Sequence, residues 1–415
     1  MKRPLLKSMA LVASTGLILF SCSDDSQTEM ENIENQIAIP EIEDAVLFNQ
    51  GSYEIEGSYI IVFNKKVTGD VGAKFPNDYA SAKSAVKQLA TDVLGSLQMK
   101  GEAINNVYSK SLMGVSASMT AEQAAKLAND NRVAYIEKDQ MFTLAPPPGK
   151  GPGGGGGGGS TGQETPWGIA RVNGGTTYTG NNVAWIIDSG IDSSHEDLNV
   201  DASRGFNAFT NGPDSDILVD NNGHGTHVAG TVAAIDNSVG VVGVAAGATV
   251  IPVKVLDRRG SGSYSGVIAG IDFVAANGSN GDVANMSLGG GFSQAVNDAV
   301  IAASSTVKFA IAAGNESSDA NGSSPASANG PNIYTISAMS QGDNWASFSN
   351  FGNPPVDFCE PGVAIKSTWP GGYNTISGTS MASPHACGIL LLGNIGNGGT
   401  VSGDPDGNAD TIGVN

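Results

Sequence analysis

The sequence is poor in basic residues. Twenty-one Lys and Arg stand against 40 Asp and Glu, which gives a formal net charge of −19 at pH 7. A protein of this sign repels phosphate backbones, and nucleic acid is therefore excluded as a partner. Charged residues make up only 15% of the chain and aromatic residues 6%, whereas 57 of the 415 residues are glycine. This composition argues against a coiled coil or a disordered chain and favours a compact, turn-rich protein of two or three domains.

The N-terminus also lacks an apolar run of membrane-spanning length. The run Met9–Phe20 follows a basic start and is too short to span a bilayer as a helix, which is typical of an export signal over residues 1–22. It ends in Leu-Phe-Ser-Cys, which resembles a bacterial lipobox and implies that Cys22 is lipidated. The alternative is an ordinary secretory signal with an unrelated cysteine. Residues 23–50 are acidic and without a sustained period, as expected of a tether.

The next hundred residues alternate between strand-like and helix-like segments. Residues 120–130 begin with the capping box Thr120-x-x-Gln123, which predicts a helix start. The pattern predicts a strand, a helix, two strands, a helix and a strand, in that order, over 57–64, 81–96, 103–119, 120–130 and 132–142. We therefore expect an α+β, ferredoxin-like domain over residues 51–145.

A proline run that passes into polyglycine marks a linker at residues 146–162, because such a segment cannot pack a core. From residue 163 to 415, short apolar strands alternate with helical stretches. This is typical of an α/β domain whose parallel sheet is buried on both faces, with ligands at the carboxyl ends of the strands. The glycine- and aspartate-rich residues 396–415 are expected to be loop-like.

Three polar residues fall where this sheet would place a site. Asp188 ends an apolar strand, whereas His224 and Ser380 each open a helix. A serine hydroxyl needs an imidazole to take its proton, and the imidazole needs a carboxylate to fix its tautomer. Taken singly, these residues could be a turn aspartate, a capping or metal-binding histidine and an N-cap serine. Their chain order, Asp then His then Ser, favours a catalytic triad.

The motifs Ile186–Asp192, Asn222–Thr231 and Ser377–Gly388 resemble the catalytic blocks of subtilisin-like serine proteases, in particular the proteinase K branch. Residues 51–145 resemble the inhibitor I9-type propeptide of the same family. The resemblance implies a three-layer α/β fold and a monomeric serine endopeptidase, made as a zymogen that its own propeptide inhibits. It also implies protein and peptide substrates and no cofactor for catalysis.

Further site residues follow from the resemblance. Asn315, in Ala-Ala-Gly-Asn-Glu-Ser, matches the oxyanion-hole asparagine. Two segments match those that flank the bound peptide, and a third matches the floor of the primary specificity pocket. These substrate-binding positions are Gly260, Ser261, Gly262, Tyr264, Ser287, Leu288, Gly289, Gly290, Ala312, Ala313 and Gly314. Small residues there imply a preference for apolar or aromatic side chains before the cut.

A structural calcium site is implied at Asp357, with the carbonyls of Pro331 and Ile333; the alternative is a simple turn that enters a strand. His227 could suggest zinc, but no HExxH pattern is present and the family has a structural histidine at this position. His385 is also expected to be structural. The sequence leaves open whether the two remaining cysteines, at 359 and 387, form a disulfide.

Two other functions are alternatives to an exported protease. One is a catalytically dead surface lipoprotein that binds peptides, against which the complete triad argues. The other is an α/β-hydrolase esterase, which the sequence around Ser380 and the chain order disfavour. Because Pro146 follows Ala145, we expect propeptide processing somewhere within residues 144–163. That cut would separate the protease from an anchor at Cys22 at the cell surface.

Overall fold

The computed structural model describes residues 49–96, 98, 103–144 and 162–415. All of them fall within one compact unit, Glu43–Asn415. The predicted export signal, Cys22 and most of the predicted tether and linker lie outside the described residues. Among the helices that are described, none combines the length and the apolar character needed to cross a membrane.

The N-terminal domain, residues 49–144, has the predicted strands and helices in the predicted order, with one short helix, Lys65–Thr68, in addition. Its elements are β1 (Asn49–Phe63), α1 (Lys65–Thr68), α2 (Tyr79–Gly95), β2 (Ile104–Tyr108), β3 (Gly114–Ser118), α3 (Ala121–Leu127) and β4 (Val133–Leu144). The four strands form an antiparallel sheet in the order β4-β1-β3-β2, as in a ferredoxin-like sandwich. Both hydrogen bonds of the capping box between Thr120 and Gln123 are present at the start of α3.

The C-terminal domain, residues 162–415, is a mixed α/β domain. Its elements are α4 (Trp167–Arg171), β5 (Thr176–Thr177), β6 (Ala184–Asp188), β7 (Phe206–Asn207), α5 (His224–Ala233), β8 (Ala245–Ala246), β9 (Val250–Lys254), β10 (Ser261–Ser263), α6 (Tyr264–Asn277), β11 (Val283–Met286), β12 (Gly290–Gly291), α7 (Gln294–Ala303), β13 (Lys308–Ala312), β14 (Ser323–Ser324), β15 (Ile333–Ser340), β16 (Asn344–Trp345), β17 (Val356–Pro361), β18 (Ile365–Trp369), β19 (Gly372–Ile376), α8 (Thr379–Leu392), β20 (Gly396–Thr400) and β21 (Thr411–Val414).

The main sheet has the order β20-β21-β17-β15-β13-β11-β6-β9-β7, and its strands are parallel from β21 to β7. Strand β6 shows how the two faces are covered. Trp185 and Ile187 pack in the cluster that contains α6 and α7, whereas Ala184 and Ile186 pack with α5 and α8. Because successive side chains of a strand point to opposite faces, a continuous apolar strand fills both layers, as predicted.

The N-terminal sheet packs on the C-terminal domain. Ile61 and Phe63 of β1 belong to the core under α2, whereas Ile60 and Val62 join the cluster around α6 and α7. The C-terminal end of β4 also pairs antiparallel with β10, with Phe142 opposite Gly262. One sheet therefore runs across both domains, in the order β10-β4-β1-β3-β2.

The expectation of a loop over residues 396–415 is wrong. β20 and β21 form an antiparallel pair, and β21 adds to the main sheet through Ile412 opposite Cys359. Ile412 is fully buried in a small cluster with Met339, Cys359 and Val401. Because these partners are distant in sequence, the local glycine-rich composition gives no sign of the pairing.

Candidate active site

Three neighbouring parallel strands bring the predicted site residues to one edge of the main sheet. β6 ends at Asp188, β11 is followed by Ser287, and β13 is followed by the segment that contains Asn315. Because parallel strands end at the same edge, these residues meet there. The cleft at this edge is lined by Leu144, Leu288, Gly289, Gly290, Ala312, Ala313, Gly314, Asn315, Glu316, Ser323, Ala326, Thr379 and Ser380.

Asp188 and His224 are in direct contact. His224 Nδ1 lies 2.8 Å and 2.9 Å from the two carboxylate oxygens of Asp188, and both side chains are buried. The backbone N–H of Ser189 also donates to Asp188 Oδ1 at 2.7 Å. The opposite ring nitrogen, His224 Nε2, is buried and has no hydrogen-bond partner in the described part of the chain. The carboxylate therefore fixes the orientation of the ring and leaves Nε2 as the reactive nitrogen.

Ser380 is the second residue of α8 and lines the cleft. Its hydroxyl donates to the carbonyl oxygen of Ser287 at 3.1 Å. Among the described contacts, no hydrogen bond joins Ser380 to His224. The structure thus brings the first two predicted triad members together, whereas the serine hydroxyl is turned to a backbone carbonyl.

Asn315 is oriented by the residue that precedes the serine. Its carboxamide oxygen accepts hydrogen bonds from Thr379 N at 2.8 Å and from Thr379 Oγ1 at 2.9 Å. Thr379 Oγ1 in turn accepts from the N–H of Gly314 at 3.1 Å. Because the oxygen is held in this way, the nitrogen of the carboxamide is directed away from Thr379. Thr379 is a site residue that the sequence motifs alone do not reveal.

The hydroxyl of Ser287 compensates for Pro384, the proline within helix α8. The hydroxyl of Ser287 donates to the carbonyl oxygen of Ser380 at 2.7 Å and accepts from Asn285 Nδ2 at 2.8 Å. Pro384 lacks the N–H that would otherwise bond this carbonyl in a helix. The Ser287 hydroxyl supplies the missing donor, so the proline leaves no orphan acceptor at the start of α8.

Asp220 is a second residue that the sequence analysis missed. It is buried and accepts hydrogen bonds from the N–H groups of Gly223 and Thr226, at 2.9 Å and 3.0 Å, and from the hydroxyls of Thr226 and Ser189, at 2.7 Å and 3.0 Å. Burial raises its pKa above the usual value. Asp220 thus fixes the loop that leads into His224. In the sequence, an acidic residue four positions before the start of α5 is the feature that could have indicated this role.

The segments predicted to bind substrate flank the end of the N-terminal domain. The N–H of Leu144 donates to the carbonyl of Gly260 at 2.9 Å, and Ser261 and Gly262 pair with Thr143 and Phe142. Tyr264 is buried, donates to the carbonyl of Gly291 at 2.5 Å and packs against Phe142 with ring centroids 5.5 Å apart. The C-terminal end of β4, the last strand of the N-terminal domain, therefore lies in the cleft as an extended strand.

Acidic residues hold the two domains together. Asp272, fully buried on α6, accepts from Tyr79 Oη, from the N–H groups of Ser109, Lys110 and Ser111 and from Ser111 Oγ. The N-terminal domain in turn supplies two carboxylates to the C-terminal domain. Glu137 accepts from Ala295 N at the start of α7, and Asp139 accepts from Ser265 N at the start of α6. Carboxylates at helix N-termini are favourable. Sequence reasoning missed this interface because its partners are more than a hundred residues apart.

Two further histidines and two cysteines pack in the core. His227 Nε2 lies 2.9 Å from the carbonyl of Ile365, and burial lowers the pKa of this histidine to about 3. His385 Nδ1 lies 2.9 Å from the carbonyl of Met381, and burial lowers its pKa to about 4. Cys359 and Cys387 are buried free thiols and form no disulfide.

The predicted calcium ligands lie at neighbouring strands of the sheet. Asp357 is in β17, and one carboxylate oxygen accepts from Thr335 N of β15 at 2.9 Å. Partial shielding from water raises the pKa of Asp357 to about 6. Ile333 is the first residue of β15, and Pro331 lies two residues before it. No cluster of three or more His, Cys, Asp or Glu that could hold a metal occurs within the described ranges. Calcium binding through carbonyl oxygens stays a prediction.

A buried carboxylate–imidazole pair and a serine at a helix start, both on the carboxyl edge of a parallel sheet, are the groups that a hydrolase of the serine class uses. Comparisons with known proteins identify the family. Residues 181–394 match the subtilase family, Peptidase_S8, and residues 58–145 match the peptidase inhibitor I9 family. The chain belongs to the subtilases: it is a subtilisin-like serine endopeptidase with an I9-type propeptide.

Similar proteins span most of the chain. Alkaline serine exoprotease A of Vibrio alginolyticus is 37% identical over 81% of this chain and 60% of its own length. The extracellular serine proteinase of a Thermus strain is 37% identical over 81% of this chain and 80% of its own. Subtilisin NAT of Bacillus subtilis subsp. natto is 36% identical over 82% of this chain and 81% of its own length. A cold-adapted subtilisin-like serine proteinase of known structure covers 59% of this chain and 96% of its own, with 37% identity and a TM-score of 0.51.

Proposed function

We propose that Asp188, His224 and Ser380 form the catalytic triad of this endopeptidase. The observation that carries the proposal is the buried contact between Asp188 and His224, which leaves Nε2 without a partner near the cleft that Ser380 lines. For the proton transfer, the Ser380 hydroxyl has to leave the Ser287 carbonyl, to which it now donates, and turn to His224 Nε2. The resemblance of all three motifs to the subtilase blocks supports the same assignment.

In this mechanism, Ser380 Oγ attacks the scissile carbonyl carbon while its proton passes to His224 Nε2. The tetrahedral intermediate then collapses, the C–N bond breaks, and the leaving amine takes the proton from His224. Water repeats the sequence on the acyl-enzyme: it gives a proton to His224, attacks the ester carbonyl, and releases the acid as Ser380 regains its proton. Asp188 stabilises the imidazolium throughout.

Asn315 and the backbone N–H of Ser380 would bind the oxyanion of the intermediate. The two hydrogen bonds from Thr379 support this role, because they hold the carboxamide oxygen and orient the nitrogen before the reaction begins. Preorganised donors of this kind lower the barrier without reorganising during the reaction.

The substrate is proposed to bind as an added strand beside β10, as β4 does, with the side chain before the cut on the floor formed by Ala312, Ala313 and Gly314. The small residues of this floor and Leu288 favour apolar or aromatic side chains.

Calcium at Asp357, Pro331 and Ile333 would be structural, and its test is whether a chelator lowers the melting temperature.

Ser380→Ala tests the triad. We expect kcat for casein hydrolysis to fall on the order of 10⁶-fold, the loss that removing the nucleophilic serine causes in subtilisin. Asn315→Ala should lower kcat roughly 10²- to 10³-fold, as for the oxyanion asparagine of subtilisin. Ser305→Ala, at an exposed helix end, is the matched control and should retain full activity. Equal rates for wild type and Ser380→Ala would overturn the assignment. A folded wild type without activity would support the peptide-binding alternative.

A further inference from the structure

Strand β1 of the propeptide extends beyond the inhibitor domain. The match to the I9 family begins at residue 58, whereas β1 begins at Asn49, inside the predicted tether. An irregularity between Glu54 and Tyr59 divides the strand in two, and Gly57 has a φ of +72° there. We call Asn49–Glu54 the N-terminal arm. It lies outside the ferredoxin-like sandwich, to which the rest of β1 belongs.

The arm pairs with the part of β4 that occupies the cleft. Ser52 lies opposite Phe142, Tyr53 opposite Met141, and Asn49 opposite Leu144. The other edge of this segment pairs with β10. Residues 141–144 therefore have a strand on both edges, one from the protease and one from the arm. A peptide that enters the cleft alone has no such second strand of its own.

Ser52 also connects the arm to the protease itself. Its hydroxyl accepts from the N–H of Gly291 at 3.1 Å and donates to Gln140 Oε1 at 2.8 Å. Gln140 Nε2 donates to the carbonyl of Phe292 at 3.4 Å. A Cβ atom on Gly291 would lie 2.7 Å from Ser52 Oγ, so a side chain at this position would displace the Ser52 hydroxyl. The arm, β4 and the protease segment Gly291–Phe292 thus form one hydrogen-bonded set.

We infer that the N-terminal arm is a second inhibitory segment, which docks at Gly291–Phe292 and holds residues 141–144 in the cleft. The inference rests on the proposed function, because it concerns inhibition of that same site. Each hydrogen bond that keeps the strand seated lowers the frequency with which the cleft opens to another substrate. The arm therefore lengthens the latency of the precursor beyond what the inhibitor domain gives alone.

The first test uses the full-length chain with Ser380→Ala, which cannot process itself. Hydrogen exchange is followed at the amides of Met141–Leu144. Adding Ser52→Ala should speed exchange there about tenfold, and replacing the whole arm by six Gly and Ser residues should speed it further. Ser84→Ala, on the exposed face of α2, is the matched control and should change nothing. Exchange equal to that of the control in both arm variants would overturn the inference.

The second test uses the active chain and measures the lag before casein hydrolysis appears. Ser52→Ala should shorten the lag severalfold and leave the final rate unchanged, because the arm is absent from the mature protease. An unchanged lag would contradict the inference. If no variant, wild type included, ever hydrolyses casein, the proposed function fails, but the exchange measurement still decides the role of the arm.

Discussion

Single residues at this site act mainly by holding other residues. Asp220 fixes the loop before His224, Thr379 fixes Asn315, and Ser189 donates to both Asp188 and Asp220. The sequence identifies the proposed catalytic residues because each belongs to a recognisable motif at a strand end or helix start. It does not predict the supporting residues, because a Ser, Thr or Asp in a glycine-rich segment looks the same whether or not its partner is present.

His385 gives a prediction at this scale. Burial lowers its pKa from 6.5 to about 4, so the folded protein keeps it neutral while the unfolded chain binds a proton below pH 6.5. Its contribution to stability is therefore complete above pH 6.5 and is lost as the pH falls towards 4. In His385→Gln, the free energy of unfolding should fall less steeply with acidification, by up to about 1.4 kcal/mol per pH unit.

The measurement is urea unfolding between pH 4.5 and 6.5, on the inactive Ser380→Ala background to prevent autolysis. Burial raises the pKa of Asp357 and of Asp410 to about 6, and these carboxyl groups act in the opposite direction, since stability falls as they ionise. They are common to both chains and cancel in the comparison. Identical slopes for the two chains would contradict a buried neutral His385.

At the scale of elements, the order of strands and helices in both domains follows from apolar periodicity and from caps such as Thr120. What periodicity cannot predict is a pairing whose benefit lies in a distant partner. The pairing of β21 with β17 and that of the N-terminal arm with β4 are both of this kind, because neither β21 nor the arm shows a sustained apolar alternation. Helix α8 lies between these cases: the sequence predicts its start, but not the donor to the Ser380 carbonyl.

That donor can be tested by a double-mutant cycle. Ser287→Ala leaves the buried carbonyl of Ser380 without a donor and should lower the free energy of unfolding by about 1–3 kcal/mol. Pro384→Ala restores a helical N–H, so it should stabilise the Ser287→Ala chain more than it stabilises the chain that retains Ser287. Urea unfolding on the Ser380→Ala background measures both effects. Strict additivity of the two substitutions would refute the compensation.

At the scale of the whole molecule, the precursor is a protease with its own propeptide seated in the cleft through β4, Asp272 and the two helix N-termini. Export is proposed from the sequence at the N-terminus, which is typical of an export signal. An anchor at Cys22 would lie on the propeptide side of the linker. Processing within residues 144–163 would then release the protease from the membrane.

N-terminal sequencing and cell fractionation test this proposal together. The active form should begin within residues 145–163 and should be found in the soluble fraction, whereas the precursor should be membrane-bound unless Cys22 is changed to Ser. An active form that begins upstream of Gly51 would contradict the processing. Activity that stays wholly in the membrane fraction after full processing would contradict the release.

The assignment of Ser380 as the nucleophile has one most direct measurement. The processed enzyme is treated with a fluorophosphonate, which modifies only serine hydroxyls that a neighbouring base activates, and the modified peptide is located by mass spectrometry. The account predicts a single adduct, on Ser380, with much slower labelling in His224→Ala. An adduct on another serine, or equal labelling in wild type and His224→Ala, would contradict it.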